Sequence, residues 1–349
     1  MKGPKSYLIN VGIILIIGAI SMYISVGKEF KSVFKTVLTA KPSWLLLLAL
    51  VMLTYYVVDG ISMWIAGKTY KKDYTLKEGF VTGMIGTLFS DITPSASGGQ
   101  FAQIFIYNNQ GIPPTVSSGI LMACFIAFQI VIVCYSAAVI LFHSGYFLKL
   151  GQEILSMAYL GYAINIVVTI ALFGGAMSKK LQHFIVDKVI YFLSKIKIVK
   201  NYEATSLRIR DYFDRFRHTL GILMGNKKLL FEICVCDAIK LTLLYSTPYL
   251  SCKALGIAIP PKMFANFIGL ASIIHLINAF LPIPGASGGS EGAFMIIFGF
   301  LGQVESSSAM MLWRFSSFYY GALLGLITFI FAKDVKKRRE PTITDIEDH

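Results

Sequence analysis

Thr93-Pro94-Ser95-Ala96-Ser97-Gly98-Gly99-Gln100 and Pro284-Gly285-Ala286-Ser287-Gly288-Gly289-Ser290-Glu291 share the pattern P-x-A-S-G-G when aligned on Pro94 and Pro284. Each interrupts an apolar region, residues 79–107 in the first case and 263–301 in the second. Each is followed by a short apolar segment, 101–107 or 293–301. A continuous helix does not tolerate a proline followed by a double glycine in its interior. Two such breaks at matching places in two similarly broken segments read as an internal duplication.

The rest of the chain defines what is interrupted. Its 349 residues are 55% hydrophobic and 15% charged, where soluble proteins carry about 25%, and mean hydropathy is +0.66. That balance excludes an ordinary water-soluble enzyme. An apolar run of about 20 residues crosses a hydrocarbon core of roughly 30 Å as a helix, and runs at 7–26, 44–66, 116–142, 154–177, 229–250 and 309–332 meet that length. The first follows Lys2 and Lys5 as a signal peptide would, but it is longer than an h-region and lacks a convincing A-x-A site, so it reads as an uncleaved helix. The expected fold is an all-α polytopic integral membrane protein with about six full transmembrane helices and two broken or re-entrant hairpins related as an inverted repeat. Its expected divisions are a first helix and linker (1–42), a first membrane repeat (43–177, broken at 93–100), a basic amphipathic cytoplasmic segment (178–228), a second repeat (229–332, broken at 282–291) and a cytoplasmic tail (333–349). The five cysteines, Cys124, Cys134, Cys234, Cys236 and Cys252, lie in apolar runs without CxxC or Cys/His spacing. They read as reduced packing residues, and no metal or cofactor is expected.

Orientation follows from Lys and Arg in the connections. Residues 178–228 carry 12 and the tail carries five, whereas 143–153 carries one and 251–262 two. The first two segments are therefore assigned to the cytoplasm and the last two to the outside, so that the broken hairpins enter from opposite faces. The limb 79–92 is 14 residues long, too short to span, while 263–281 has 19 and could nearly cross. Four lysines in the linker 27–42, an outside loop on this scheme, run against it.

Backbone that leaves helical geometry within a bilayer exposes N–H and C=O groups that lipid cannot satisfy, so such breaks persist only against protein or a water-filled cavity. Two opposed breaks imply one polar cavity near the midplane, the construction of secondary transporters, where half-helix N-termini face an anionic group. Tight packing of small residues is the plainer alternative. The candidate substrate-binding residues are Ser97, Gly98, Gly99, Gln100, Ser287, Gly288, Gly289, Ser290, Glu291 and Arg314. Backbone N–H groups would cradle a phosphate, Arg314 would supply countercharge, and Glu291 would orient Arg314 or meet a cationic headgroup. Asp91, Asp237 and Lys240 are candidate cavity charges, since an ionisable group in an apolar run needs a cavity or a partner. Asp237 and Lys240, three residues apart on one helical face, equally fit mutual neutralisation. Asp59, Glu232 and His275 read as interfacial or packing residues, and Gln103 and Gln129 as interhelical hydrogen-bonding groups. No catalytic nucleophile or acid–base cluster is visible.

Within the basic segment, Leu181, Phe184, Ile185, Val189, Phe192 and Ile196 fall at helical spacing opposite Lys179, Lys180, Lys188 and Lys195. Ile209, Tyr212, Phe213, Phe216 and Leu220 repeat the pattern beside Arg208, Arg210, Arg215 and Arg217. These read as amphipathic helices lying on an anionic leaflet. The segment contributes +8 of the chain's +13 net charge, and without an RNA- or DNA-binding motif it gives no reason to expect nucleic acid.

The two break motifs, together with Leu312-Trp313-Arg314 and Tyr319-Tyr320-Gly321, resemble the flippase-like membrane domain of the lysylphosphatidylglycerol synthase family, the multiple peptide resistance factors. The resemblance covers about 44–332. It implies a multi-pass protein of the bacterial plasma membrane that moves an anionic or aminoacylated phospholipid, such as lysyl-phosphatidylglycerol, between leaflets, with a role in lipid metabolism and antimicrobial peptide resistance. In full-length members a separate soluble domain transfers lysine from its tRNA to the lipid. Only a short polar tail follows 332 here, so a stand-alone membrane domain with a cytoplasmic C-terminus is expected. The membrane part of a phosphatidylglycerol lysyltransferase working with a separate catalytic domain, or a non-transporting lipid-binding scaffold, are the alternatives. A homodimer is left open.

Overall fold

A computed structural model describes residues 30–93, 96–196, 201–278 and 284–332. The expected span at 7–26, the tail 333–349, Pro94, Ser95, Pro282 and Ile283 lie outside the described residues. Within them the chain is helical throughout: α1 (Phe30–Leu38), α2 (Pro42–Lys68), α3 (Leu76–Asp91), α4 (Ser97–Asn109), α5 (Pro114–Phe142), α6 (Gln152–Met177), α7 (Lys179–Lys195), α8 (Tyr202–Gly225), α9 (Lys227–Ala254), α10 (Phe264–Asn278), α11 (Gly289–Ile297) and α12 (Gln303–Phe331). The starts follow local chemistry. Pro42 and Pro114 open α2 and α5, where a missing N–H costs nothing. Thr75 and Glu78 close a reciprocal capping box at the head of α3. Ser178, Asn201 and Asn226 accept from the N–H groups of Leu181, Ala204 and Leu229 to start α7, α8 and α9.

Among the described residues four helices are long and apolar enough to cross a membrane: α2, α5, α6 and α12. The fifth expected span, at 229–250, forms α9, which has the length at 28 residues but fails as an apolar run because Asp237 and Lys240 lie in its middle. Those charges are tolerated because α9 packs against α2, α5, α10 and α12 and keeps that face away from lipid. Pro248 removes an N–H from α9, and the Thr247 hydroxyl donates at 2.6 Å to the Leu244 carbonyl that the proline leaves unserved.

The element order long, half, half, long occurs twice, as α2–α5 and as α9–α12. Helices α3 and α10 are 16 and 15 residues, about 24 and 22 Å of rise. Both fall short of a bilayer core, so the limb expected at 19 residues is shorter as a described helix. The first hairpin is tied together at its open end. The Gln110 amide donates to the Glu78 carbonyl at 3.0 Å, and Lys71 bridges the Glu78 carboxylate at 2.8 Å and the Gln110 carbonyl at 3.1 Å. This end adjoins the C-terminal end of α2, where Trp64 donates to the Tyr74 carbonyl and Tyr107 to the Met63 carbonyl. The second hairpin closes through Phe267 against Phe298 (4.9 Å between rings) beside Tyr249, near the C-terminal end of α9. That end meets the start of α2, because the Lys41 N–H donates to the Ala254 carbonyl at 2.8 Å. The two hairpins therefore open at opposite ends of the α2–α9 pair.

The basic segment folds as two helices with different partners. Helix α8 packs on α5, burying Phe216, Leu220 and Leu223 against Ile120, Leu121 and Cys124. The face of α8 expected to lie on lipid is thus largely a protein contact. Helix α7 buries Gln182, Val186 and Ile190 and leaves Leu181, Phe184, Val189 and Phe192 exposed. The lysine-flanked apolar face read from its sequence is the one that packing leaves uncovered.

Candidate functional site

The two breaks meet in the middle of the bundle. The tip of α3 contacts the turn Pro284–Ala286, and a cavity of about 260 Å³ opens between them. Its wall takes Ser90, Asp91 and Ala96 from the first break, Gly285, Ala286 and Ser290 from the second, and Trp313, Arg314, Ser317 and Phe318 from α12. Tyr55, Tyr56, Thr87, Tyr245, His275 and Asn278 complete the polar lining, and Leu244, Ala271 and Ile274 add apolar surface. Ala96 (φ 54°) and Ala286 (φ 50°), which occupy the same place in the two motifs, are the two non-glycine residues with left-handed backbone among the described residues. A left-handed alanine costs roughly 1–2 kcal/mol, so this conformation is imposed by the surrounding fold.

Arg314 organises the second break. Its Nε donates to Glu291 Oε1 at 2.8 Å, and one terminal nitrogen donates to the Gly285 carbonyl at 2.7 Å and Ser287 Oγ at 3.2 Å. The Phe318 ring lies 4.6 Å from the guanidinium carbon. Gly285 is required where it stands: its φ is +59°, and a Cβ there would run into the Phe318 ring. Glu291 is 1% exposed, and its other oxygen accepts from the Gly288 N–H at 2.6 Å. The N-terminus of α11 thus already holds an internal carboxylate, neutralised in turn by Arg314. At the first break Thr93 Oγ1 accepts from the Gly98 N–H at 2.8 Å and donates to the Phe89 carbonyl at 2.6 Å. Both half-helix ends spend at least one N–H internally, which alters the expectation that these donors stand open for a phosphate.

Immediately after Arg314, α12 passes through a π-helical turn, Phe315–Tyr319. Ser316 and Ser317 both donate to the Trp313 carbonyl at 2.8 Å, serving an acceptor that the widened turn leaves short of its usual partner. The turn sets Arg314, Ser317 and Phe318 along the cavity wall.

The expected site residues divide accordingly. Asp91, Ser290 and Arg314 line the cavity. Ser287 and Glu291 bond the guanidinium, and Gly288 bonds the Glu291 carboxylate behind it. Ser97 is exposed, and Gly98, Gly99 and Gln100 are absent from the wall. Gly99 serves packing, because a Cβ there would collide with Ser90 Oγ. Asp237 and Lys240 are also off the wall. They pair at 3.3 Å, and a closer partner of Lys240 is Asp59 at 2.6 Å. Gln129 reaches Asn165 at 3.5 Å and Gln103 faces Met63, as interhelical contacts. Sequence reasoning missed Tyr55, Tyr56, Tyr245 and Asn278 on the wall. Each sits in or beside an apolar span, where its own polar group was the only available signal. Tyr245 Oη and Asn278 Oδ1 are buried without a partner among the described residues, so the wall holds unspent hydrogen-bonding capacity.

The arrangement is a small chamber with largely apolar and aromatic walls, into which hydroxyl groups, one anchored cation and one acid are set, suited to holding a charged group of small size. A search of curated proteins gives no match. The family model described as the lysylphosphatidylglycerol synthase TM region matches residues 8–325, most of the length, and the chain belongs to that family.

Proposed function

We propose that this protein is a lipid transporter that moves an anionic or aminoacylated phospholipid between leaflets, its headgroup entering the cavity between the two breaks. The observation that carries this reading is that residues from both broken segments line one cavity, which contains the buried, anchored Arg314. At about 260 Å³ the cavity suits a headgroup rather than a whole lipid, so the acyl chains would stay in the bilayer while the headgroup crosses. Arg314 supplies the phosphate contact, because Glu291 and Thr93 already occupy N–H groups at the half-helix ends. Glu291 holds Arg314 in place. Asp91, with no hydrogen bond or ion pair from the described residues, is free to meet a cationic lysyl group. On this reading α2–α5 and α9–α12 are inverted copies that rock against each other, α7 lies on the anionic leaflet, and the tail faces the cytoplasm of a bacterial cell.

The test is movement of fluorescent phosphatidylglycerol and of lysyl-phosphatidylglycerol in proteoliposomes. A charge-assisted hydrogen bond contributes about 1.5–3 kcal/mol, so Arg314→Ala is expected to slow both lipids roughly ten-fold or more, with Asp91→Asn slowing only the lysyl lipid. Equal rates in wild type and Arg314→Ala, or no protein-dependent movement of either lipid, would overturn it. The family description also favours a second reading, in which the chain is the membrane part of a phosphatidylglycerol lysyltransferase. Lipid lysylation by added Lys-tRNA and a separate catalytic domain, dependent on this chain and without lipid movement, would select it.

A further inference from the structure

Behind the cavity wall lies a second cluster of charge that the lipid site does not use. Lys240 Nζ, near the middle of α9, donates to Asp59 Oδ1 of α2 at 2.6 Å and to Asp237 Oδ1 at 3.3 Å. Asp237 and Lys240 are 3% and 8% exposed. Asp59 is tucked against Gly83 of α3, where a Cβ would approach its Oδ2 to 2.7 Å. The remaining oxygen of Asp237, Oδ2, is buried and has no partner among the described residues.

The charges of this cluster do not cancel. Two carboxylates and one ammonium leave one negative charge, largely buried near the middle of α9, which is costly unless a cation joins it. The other ionisable side chains facing the triad include no second lysine or arginine among the described residues. They are Tyr55 and Tyr56 of α2, Tyr107 of α4, Cys124 of α5, Cys234, Cys236 and Glu232 of α9, and His275 of α10. Arg314 is committed to Glu291. Phe128 and Tyr55 border Lys240 at 5.5 and 5.9 Å, and Tyr55 and His275 belong also to the cavity wall. Tyr55 thus borders both Lys240 and the cavity.

We propose that Asp59, Lys240 and Asp237 form an exchangeable proton site, with one proton on Asp237 Oδ2, and that its exchange with the cavity couples lipid movement to a proton gradient. The occupied triad is neutral: one ammonium, one carboxylate, one carboxylic acid. On release the Asp237 O–H bond breaks, the proton passes to water at the cavity wall, and the new carboxylate draws Lys240 away from Asp59. Because Asp59 and Lys240 belong to α2 and α9, the most extensively packed helix pair among the described residues, that exchange changes the tie between the two halves. The occupancy of the site stands on the geometry alone; its coupling to transport rests on the function proposed above.

Two measurements keep these apart. Infrared spectroscopy of the purified protein at neutral pH is expected to show a protonated-carboxyl band that Asp237→Asn removes, Asp237→Glu shifts and Asp91→Asn leaves in place. A band unchanged in Asp237→Asn and Asp237→Glu overturns the site whether or not lipid moves. In proteoliposomes, an imposed pH gradient is expected to speed net lipid movement several-fold in wild type and not in Asp237→Asn, which retains gradient-free equilibration. Wild-type movement that ignores the pH gradient, or that answers to a sodium gradient instead, overturns proton coupling. Absence of wild-type lipid movement, with the band behaving as expected, refutes coupling and the transport reading while the proton site stands.

Discussion

Arg314 and Glu291 form the most consequential side-chain pair in the molecule, because each is buried and each completes the other's surroundings. A buried ion pair adds little net stability over an apolar replacement, but removing one partner strands the other at about 3–5 kcal/mol. Arg314→Met alone is therefore expected to lower the melting temperature in detergent sharply. Arg314→Met combined with Glu291→Met recovers much of the loss while remaining inactive in lipid movement. Differential scanning fluorimetry of the three proteins checks this, and a double variant no more stable than the single one contradicts it. Arg314 and Glu291 were legible because a charge in an apolar run demands a partner, and their pairing spans only 23 residues. The partnership of Lys240 with Asp59, 181 residues away, was not legible, since helical spacing points only to the nearer Asp237.

At the scale of elements, the two breaks show what a sequence pattern fixes and what packing adds. Proline and double glycine announced interruption at the right places, and the half-helices on either side follow from that. The pattern could not show that Thr93 and Glu291 would cap the resulting ends. Capping depends on side-chain reach across the turn, and it converts expected open donors into satisfied ones. Nor could it show the left-handed backbone at Ala96 and Ala286, which a shared alanine does not advertise. That conformation carries a prediction. Glycine adopts it without the Cβ penalty, against which stands the greater freedom that glycine gives the unfolded chain. Ala286→Gly is therefore expected to be neutral to stabilising, by up to about 1 kcal/mol, whereas Ala286→Val destabilises by more than that. The reverse holds one residue earlier: Gly285→Ala meets both a positive φ and the Phe318 ring, and is expected to lower stability and disturb the Arg314 contact with the Gly285 carbonyl. Thermal unfolding of the three variants reads this directly, and an Ala286→Gly protein less stable than Ala286→Val would refute the assignment.

For the whole molecule the decisive relation is the opposition of the hairpins about α2 and α9. Lys71, Glu78 and Gln110 gather at the open end of the first hairpin, and Lys41 and Ala254 mark the end at which the second opens. If α2 and α9 cross the bilayer, these two groups face different compartments. The charge count assigns the first to the cytoplasm, together with α7 and α8, although the lysines of α1 sit at the other end. Single cysteines placed on a background lacking the five native ones distinguish the arrangements. Lys72→Cys and Lys195→Cys should react with a membrane-impermeant maleimide from one face of sealed, oriented vesicles, and Lys262→Cys only from the opposite face. Labelling of Lys72→Cys and Lys262→Cys from the same face would mean that the hairpins do not oppose across the bilayer. A cavity reached alternately from two sides would then lose its structural basis, because rocking of inverted halves requires each break to be approached from its own compartment.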